Sequence, residues 1–96
     1  MVQYVGVGRL GAVQTVAYTG TAGVITNGIG TGVTKVRVAV SSDCYIQISK
    51  TPTPTGSTDG SFMAAGSVEY FSIYPGEKVG AIQATAGGNL NVTEIT

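Results

Sequence analysis

The sequence has no histidine and no tryptophan, and it has one cysteine and few charged residues. Without histidine, no serine or cysteine can be activated by the imidazole base that most nucleophilic enzymes use. The single cysteine, Cys44, excludes an internal disulfide and any zinc site built from several cysteines. Five acidic and five basic residues give a net charge of zero. This balance argues against nucleic acid and anionic membranes as partners, because both are bound through clustered Lys and Arg.

Long apolar runs and helical patterns are missing as well. No run approaches the roughly 20 residues of a membrane span, and the first residues lack the basic and apolar pattern of a signal peptide. We therefore expect synthesis in a cytoplasm. Short alternating runs broken by Gly, Thr, Ser, Asn and Pro fill the chain. They predict an all-β domain, a β-sandwich or jelly roll of seven to eight short antiparallel strands.

Residues 68–83 form the stretch around which this domain is organised. Residues 68–74 are mostly β-branched or aromatic, Pro75–Gly76 presets a tight turn, and residues 78–83 lead the chain back. The pattern predicts two strands joined at a corner. Both faces of residues 68–74 are apolar, which fits a central strand covered by loops or a strand at a subunit interface equally well.

The clearest alternation with a period of two lies just before this stretch. Val36, Val38 and Val40 share one face of a predicted strand over residues 34–40, whose other face carries cations. In residues 44–49 the same alternation turns Cys44, Ile46 and Ile48 inward and Tyr45, Gln47 and Ser49 outward. We predict that these two strands form a hairpin. At the end of the chain, the pattern turns Leu90 and Val92 inward, and Asn91 and Thr93 outward.

Glycine and proline mark the irregular parts. Residues 1–11 are predicted to be a flexible, glycine-rich N-terminal arm, and residues 12–96 the sandwich domain, with residues 12–18 as its first strand. Asn27–Gly28 is a hairpin-type turn signal, and a short strand is predicted near residues 24–26. The Pro-rich and Thr-rich residues 50–61 predict an exposed loop.

No motif in the chain supports catalysis or a cofactor. Residues 6–11 match the Gly-x-Gly-x-x-Gly pattern of dinucleotide sites, but residues 12–16 are strand-like where a helix is required, and the first acid is Asp43. The five acids lie at turns or strand ends, where carboxylates are usually solvated, and none belongs to a dense calcium loop. We therefore predict that the protein is not an enzyme and binds no metal or cofactor.

From about residue 36 onward the chain resembles small proteins encoded in the structural genes of tailed bacteriophages. The resemblance rests on residues 36–38, the run 43–48, the Pro-Thr loop, residues 65–71 and 75–79, and the ending at residues 87–94. Such proteins resemble capsid decoration, or cement, proteins. The resemblance implies a β-sandwich on the exterior of the virion head that stabilises the shell by bridging copies of the major capsid protein. It also implies self-association, with a trimer as the first guess.

Two readings of the interacting residues follow. For a decoration protein, we expect Val2, Tyr4 and Val5 of the arm to add to a sheet edge of a capsid or sister subunit, and Tyr45, Tyr70 and Tyr74 to lie at interfaces. The alternative function is a carbohydrate-binding or host-recognition module of a phage fibre or tail. It would place Tyr45, Tyr70 or Tyr74 at one exposed site with the 50–61 loop.

Overall fold

The structure, a computed structural model, describes residues 8–96. The expected contacts of Val2, Tyr4 and Val5 therefore lie outside the described residues. The described part contains eight strands and no helix: β1 (Leu10–Tyr18), β2 (Gly23–Val24), β3 (Lys35–Val40), β4 (Cys44–Ser49), β5 (Ser61–Met63), β6 (Val68–Ser72), β7 (Lys78–Gln83) and β8 (Gly88–Ile95). Accordingly, residues 8–96 hold no helix that could cross a membrane.

The strands form two four-stranded antiparallel sheets. Sheet A has the order β1-β8-β3-β6, and sheet B has the order β2-β7-β4-β5. Their apolar faces enclose one core, so the predicted all-β sandwich of seven to eight strands is confirmed, with a jelly-roll-like arrangement.

Side chains from both sheets fill the core. Alternation along each strand places every second residue inside, as the sequence predicts for Val36, Val38, Leu90 and Val92. The strand residues of this buried apolar core cluster are Tyr18, Val36, Val38, Val40, Cys44, Ile46, Met63, Val79, Ala81, Leu90 and Val92. Ile95 of β8 is buried as well, but it lies outside this cluster. Ile48, predicted to point inward, is only partly buried at the margin of this cluster.

The predicted hairpin between β3 and β4 is wrong. Strand β3 pairs with β6 and β8 in sheet A, whereas β4 pairs with β5 and β7 in sheet B. Residues 41–43 therefore carry the chain from one sheet to the other. The two strands bury their apolar faces in the same core from opposite sides, and an alternating pattern is the same for a hairpin and for such a crossover.

The corner at Pro75–Gly76 is confirmed. The Glu77 N–H donates to the Tyr74 carbonyl over 3.1 Å, and Gly76 has a φ of 87°. Such a φ is the reason for glycine after proline in this turn. The corner links β6 of sheet A to β7 of sheet B. Strand β6 lies at the edge of sheet A and is mostly exposed, so it is not a covered central strand.

The part of the described chain before β3 differs from the prediction in two ways. Strand β1 begins at Leu10, and Arg9 exchanges two 2.8 Å backbone hydrogen bonds with Thr96, so residues 9–11 of the predicted arm belong to sheet A or its margin. No hairpin turn forms at Asn27–Gly28, since neither residue has a positive φ. The Gln14 side chain instead accepts from the Asn27 N–H and donates to the Asn27 carbonyl, each over 2.9 Å.

Candidate binding surface

The outer face of sheet B is partly covered by the chain's own long loop. Residues 50–60 fold back so that Pro52 and Pro54 are buried. A Cβ built on Gly80 would lie only 3.2 Å from the Pro52 Cβ, so the missing side chain of Gly80 makes room for the proline ring. Gln47 holds the loop from beneath, because its side chain accepts from the Thr53 N–H over 2.8 Å and donates to the Asp59 carbonyl over 3.0 Å.

The Asp59 carboxylate organises the tip of this loop. It accepts hydrogen bonds from the Thr55 N–H at 2.9 Å, the Thr55 hydroxyl at 2.9 Å and the Gly56 N–H at 3.2 Å. The Thr55 N–H in particular lowers the pKa of Asp59 below its ordinary value. The loop is thus held by its own hydrogen bonds, and its role in this fold is to cover sheet B.

Within residues 8–96, no long loop covers the outer face of sheet A in this way. Its strand registers place the outward residues in three rows across the four strands, and we call this surface the A face. In the order β1, β8, β3, β6, the rows are Leu10, Ile95, Lys35 and Ser72, then Val13, Thr93, Arg37 and Tyr70, then Thr15, Asn91, Ala39 and Val68.

Large apolar side chains are concentrated on the A face. Leu10 is 72% exposed, Val13 57%, Tyr70 47% and Val68 43%, and these are four of the six exposed large apolar residues in the described chain. The first two lie on β1 and the others on β6, on the two sides of the face. At its centre, Thr93 points outward as predicted but is buried between its neighbours Val13 and Arg37. Two pairs of exposed apolar side chains thus flank a polar centre, and large exposed apolar groups on one face are typical of interaction surfaces.

The charge of the A face has one sign. Its three rows contain Lys35 and Arg37 and no carboxylate. Of the acids, Glu69 and Glu94 lie on the opposite side of sheet A, since they pair with the inward-facing Val38 and Val36. Glu94 is held there, where it accepts from the Gly30 N–H over 3.0 Å. The A face is therefore positive although the chain as a whole is neutral.

The edges of sheet A carry features that disfavour pairing with another strand. Strand β6 turns the charged Glu69 to the side of the core, and β1 has a register shift between Leu10 and Val13 that adds one residue to this strand. Inward charges and bulges are devices that protect edge strands. The face, rather than an edge, is thus the candidate binding surface of this sheet.

A cleft of about 560 Å³ adjoins the A face next to the corner. Its lining residues are Thr34, Lys35, Ser72, Ile73, Tyr74 and Glu77. The Glu77 carboxylate accepts from the Tyr74 N–H over 2.9 Å, which fixes this wall of the cleft. Lys35 and Ser72 belong to both the cleft and the A face, so the two surfaces are continuous.

The three tyrosines predicted at interfaces do not share one site. Tyr45 lies on the outer side of sheet B, where its ring meets Phe62 edge to face with centroids 5.7 Å apart. It lies beside the 50–61 loop, as Gly60 packs against its Cβ. Tyr70 lies on the A face of the other sheet, and Tyr74, 75% exposed, lines the cleft.

Sequence reasoning missed Leu10 and Val13. Leu10 falls within the predicted arm, and Val13 was not separated from the core residues of its strand. The alternation of Val13, Thr15 and Ala17 against Val16 and Tyr18 is the signal that could have shown it, because Tyr18 is large enough to need burial.

The buried polar groups near the crossover hold the fold together. The Tyr18 hydroxyl donates to the Ser42 carbonyl over 2.6 Å and accepts from the Ser42 N–H over 3.1 Å. Burial raises the pKa of Tyr18 and also that of the Cys44 thiol, so both are protonated and uncharged at neutral pH. Cys44 is fully buried, in agreement with its predicted role as a small apolar core residue.

No known protein family, curated protein or solved structure matches this chain.

Proposed function

We propose that this chain is a non-enzymatic structural protein of a bacteriophage virion, which decorates the exterior of the head and stabilises it by bridging capsid subunits. One observation carries the structural part of this proposal: the A face exposes four large apolar side chains, whereas sheet B is partly covered by its own loop. The proposal that the binding partner is a phage head comes from the resemblance to decoration proteins. The major capsid protein is the proposed partner, and the head exterior is the proposed location after synthesis in the host cytoplasm.

The size of the A face limits how tightly one copy can bind through it alone. Four strands about 4.8 Å apart and three rows spaced by two residues span roughly 400 Å² in projection. A standard interface buries about 800 Å² on each partner. We therefore propose that the contact continues over the cleft and the turn at residues 74–77, and that sister copies add to it. Self-association into a trimer is the first state to test.

Binding to purified heads that lack this chain tests the proposal. The variant Val13→Ser with Tyr70→Ser removes apolar groups from the A face, and Phe62→Ser is the matched control because Phe62 is 54% exposed on sheet B. We expect wild type and the control to bind in a fixed ratio to capsid subunits and to raise the melting temperature of the heads. The A-face variant should bind at least about tenfold more weakly, a loss of about 1.4 kcal/mol.

Circular dichroism and urea unfolding of each variant separate loss of binding from loss of folding. Equal binding by the A-face variant and wild type would show that the A face is not the docking surface. Failure of the wild-type protein to bind heads would refute the decoration role itself. Removal of residues 1–7 tests the proposed contribution of Val2, Tyr4 and Val5. We expect the truncated protein to bind heads in a smaller amount than wild type in the same assay.

The cleft beside Tyr74 favours a second candidate function, glycan binding. Its volume is in the range of small-molecule sites, and an exposed tyrosine ring beside hydroxyl, ammonium and carboxylate groups suits a sugar. Specific retention on a glycan array that is lost in Tyr74→Ala but kept in Phe62→Ala would support this function. Retention that is unchanged in Tyr74→Ala, or no retention of any glycan, would count against it.

A further inference from the structure

We infer that the A face recognises an acidic and partly apolar protein surface, and that it does not pair with the A face of a second copy. The inference rests on the proposed function only in taking the A face as the docking surface. It adds the chemistry of the partner, which the proposed function leaves open.

The position of the two cations is the first step. Lys35 and Arg37 are both on β3, one of the two central strands of sheet A, so the positive charge lies near the middle of the face. In the second row, Arg37 is placed next to Tyr70, with Val13 beyond Thr93 on the other side. A partner that covers the apolar groups must therefore also cover the guanidinium.

A covered guanidinium needs an acceptor from the partner. Both cations are half-buried already, and the three rows of the A face contain no carboxylate. Glu77 shares the adjoining cleft with Lys35, but no acid lies in the row of Arg37. A buried charge without a partner is strongly unfavourable, whereas a carboxylate can bind the planar guanidinium through two parallel hydrogen bonds. The complementary surface thus carries Asp or Glu opposite Arg37 and Lys35, with apolar groups around them.

A second copy of the same face does not meet this need. A two-fold contact centred on the A face would bring the central strands β3 of two copies opposite or beside each other. The three rows would then contribute four cations and no acid to the middle of the contact. Like charges placed against each other at an interface oppose association. Self-association through two A faces is therefore disfavoured.

Nucleic acid fits the same surface poorly. Phosphate backbones are bound by many Lys and Arg side chains that follow the strand, and most of the affinity comes from released counterions. The A face offers two cations among apolar and amide side chains. Its composition matches a protein surface with a few carboxylates better than a continuous row of phosphates.

The test is an NMR titration with a defined acidic probe. A random copolymer of glutamate and tyrosine is added to ¹⁵N-labelled full-length protein at about 20 mM and about 300 mM salt, where the screening lengths differ severalfold. The variant Lys35→Glu with Arg37→Glu reverses the charge of the A face. The matched control is Lys50→Glu with Lys78→Glu, which makes the same change of charge beside sheet B. A second variant, Lys35→Gln with Arg37→Gln, neutralises the same charges and is used if charge reversal unfolds the protein.

We expect amide shifts concentrated on residues of the three rows, with an affinity that falls at high salt. Reversal or neutralisation of the A-face charges should weaken binding at least about tenfold, and the Lys50 and Lys78 control should bind like wild type. The inference is overturned if the copolymer does not bind, if shifts centre on Lys50 or Lys78, or if a lysine-tyrosine copolymer or duplex DNA binds the face equally well. It is also overturned if sedimentation shows that the wild-type protein is a dimer and hydrogen exchange shows that the dimer contact protects the A-face amides.

The same charge variants in the head-binding assay distinguish this inference from the proposed function. Weakened binding to heads by the charge-reversed protein, but not by its control, supports both. Normal head binding by the charge-reversed protein would refute an acidic partner surface and leave decoration standing. Binding of the acidic copolymer to the A face, without binding of the wild-type protein to heads, would refute decoration and leave the acidic partner standing.

Discussion

Replacement of Tyr18 by phenylalanine should destabilise the sandwich without disturbing its shape. The hydroxyl of Tyr18 makes two hydrogen bonds to the Ser42 backbone, at 2.6 Å and 3.1 Å, and the ring is only 1% exposed. Removing the hydroxyl leaves a partly buried N–H and carbonyl without this partner, and each such loss costs about 1–3 kcal/mol. Because Ser42 is in the crossover between the two sheets, no strand pairing can replace the lost bonds. Because both Ser42 groups are only partly buried, we expect the free energy of unfolding to fall by about 2–3 kcal/mol, the lower part of the roughly 2–6 kcal/mol that two such losses would give.

Urea unfolding followed by circular dichroism measures this change, with Tyr74→Phe as the matched control. Tyr74 is 75% exposed, and its hydroxyl is solvated, so its loss should change stability by less than about 0.5 kcal/mol. For a domain of this size, 2 kcal/mol corresponds to a fall in melting temperature of roughly 8–16 °C. A Tyr18→Phe protein as stable as the Tyr74→Phe protein would show that the crossover does not depend on this hydroxyl.

The pH dependence of stability gives the same residue a second readout. Burial raises the folded-state pKa of Tyr18 above its ordinary value of 10.0. The folded protein then holds this proton more tightly than the unfolded chain does. The resulting stability is fully present below pH 10 and is lost as the pH rises through the folded-state pKa. Tyr18→Phe should reduce this alkaline loss, and an unchanged profile above pH 10 would argue against the buried hydroxyl as its source.

Two further predictions concern the corner and the long loop. Gly76→Ala should cost about 1–2 kcal/mol in unfolding free energy because a φ of 87° disfavours a Cβ, although no atom lies within 4 Å of that Cβ. The control Gly20→Ala, at an ordinary φ with the nearest atom 3.7 Å from the added Cβ, should be neutral or slightly stabilising. Equal effects of the two substitutions would refute the backbone explanation. The lowered pKa of Asp59 means that its contribution is present above pH 3.8, its ordinary value, and is lost as the pH falls through the lower folded-state value. The Thr55 amide shift should therefore titrate with a midpoint below 3.8 in wild type and stay flat in Asp59→Asn, and a midpoint at or above 3.8 would contradict the hydrogen bonds seen at this carboxylate.

The sequence predicted the strands better than their partners. Alternation in residues 36–40 and 44–49 is local, and it correctly separated inward from outward side chains. It does not say which strands pair, because pairing is decided by the whole core. The Asn27–Gly28 signal failed for a related reason. Gln14 and the start of β7 provide partners for this backbone segment, and these long-range contacts outweigh the local preference for a tight turn.

The candidate site was predictable only in part. Tyr70 and Tyr74 stand out in the sequence because aromatic residues on both faces of a strand need an explanation. The A face, however, is assembled from strands far apart in the chain, with Leu10 and Val13 from β1 and Tyr70 from β6. The sequence also could not show that Gly80 admits Pro52, and this contact explains why the long loop lies on sheet B.

The unequal outer faces of the two sheets would give the protein a direction when it binds. A protein with two apolar binding faces can stack into layers, whereas a protein with a single apolar binding face forms one layer on a surface. Loop 50–60 shields part of sheet B. The inward Glu69 and the bulge in β1 hinder pairing at the edges of sheet A, and the central cations oppose contact between two A faces. Each feature leaves one way to associate, with the A face against an unlike surface. The proposed decoration role would require this restriction, because a decoration protein must coat a shell without joining shells to one another.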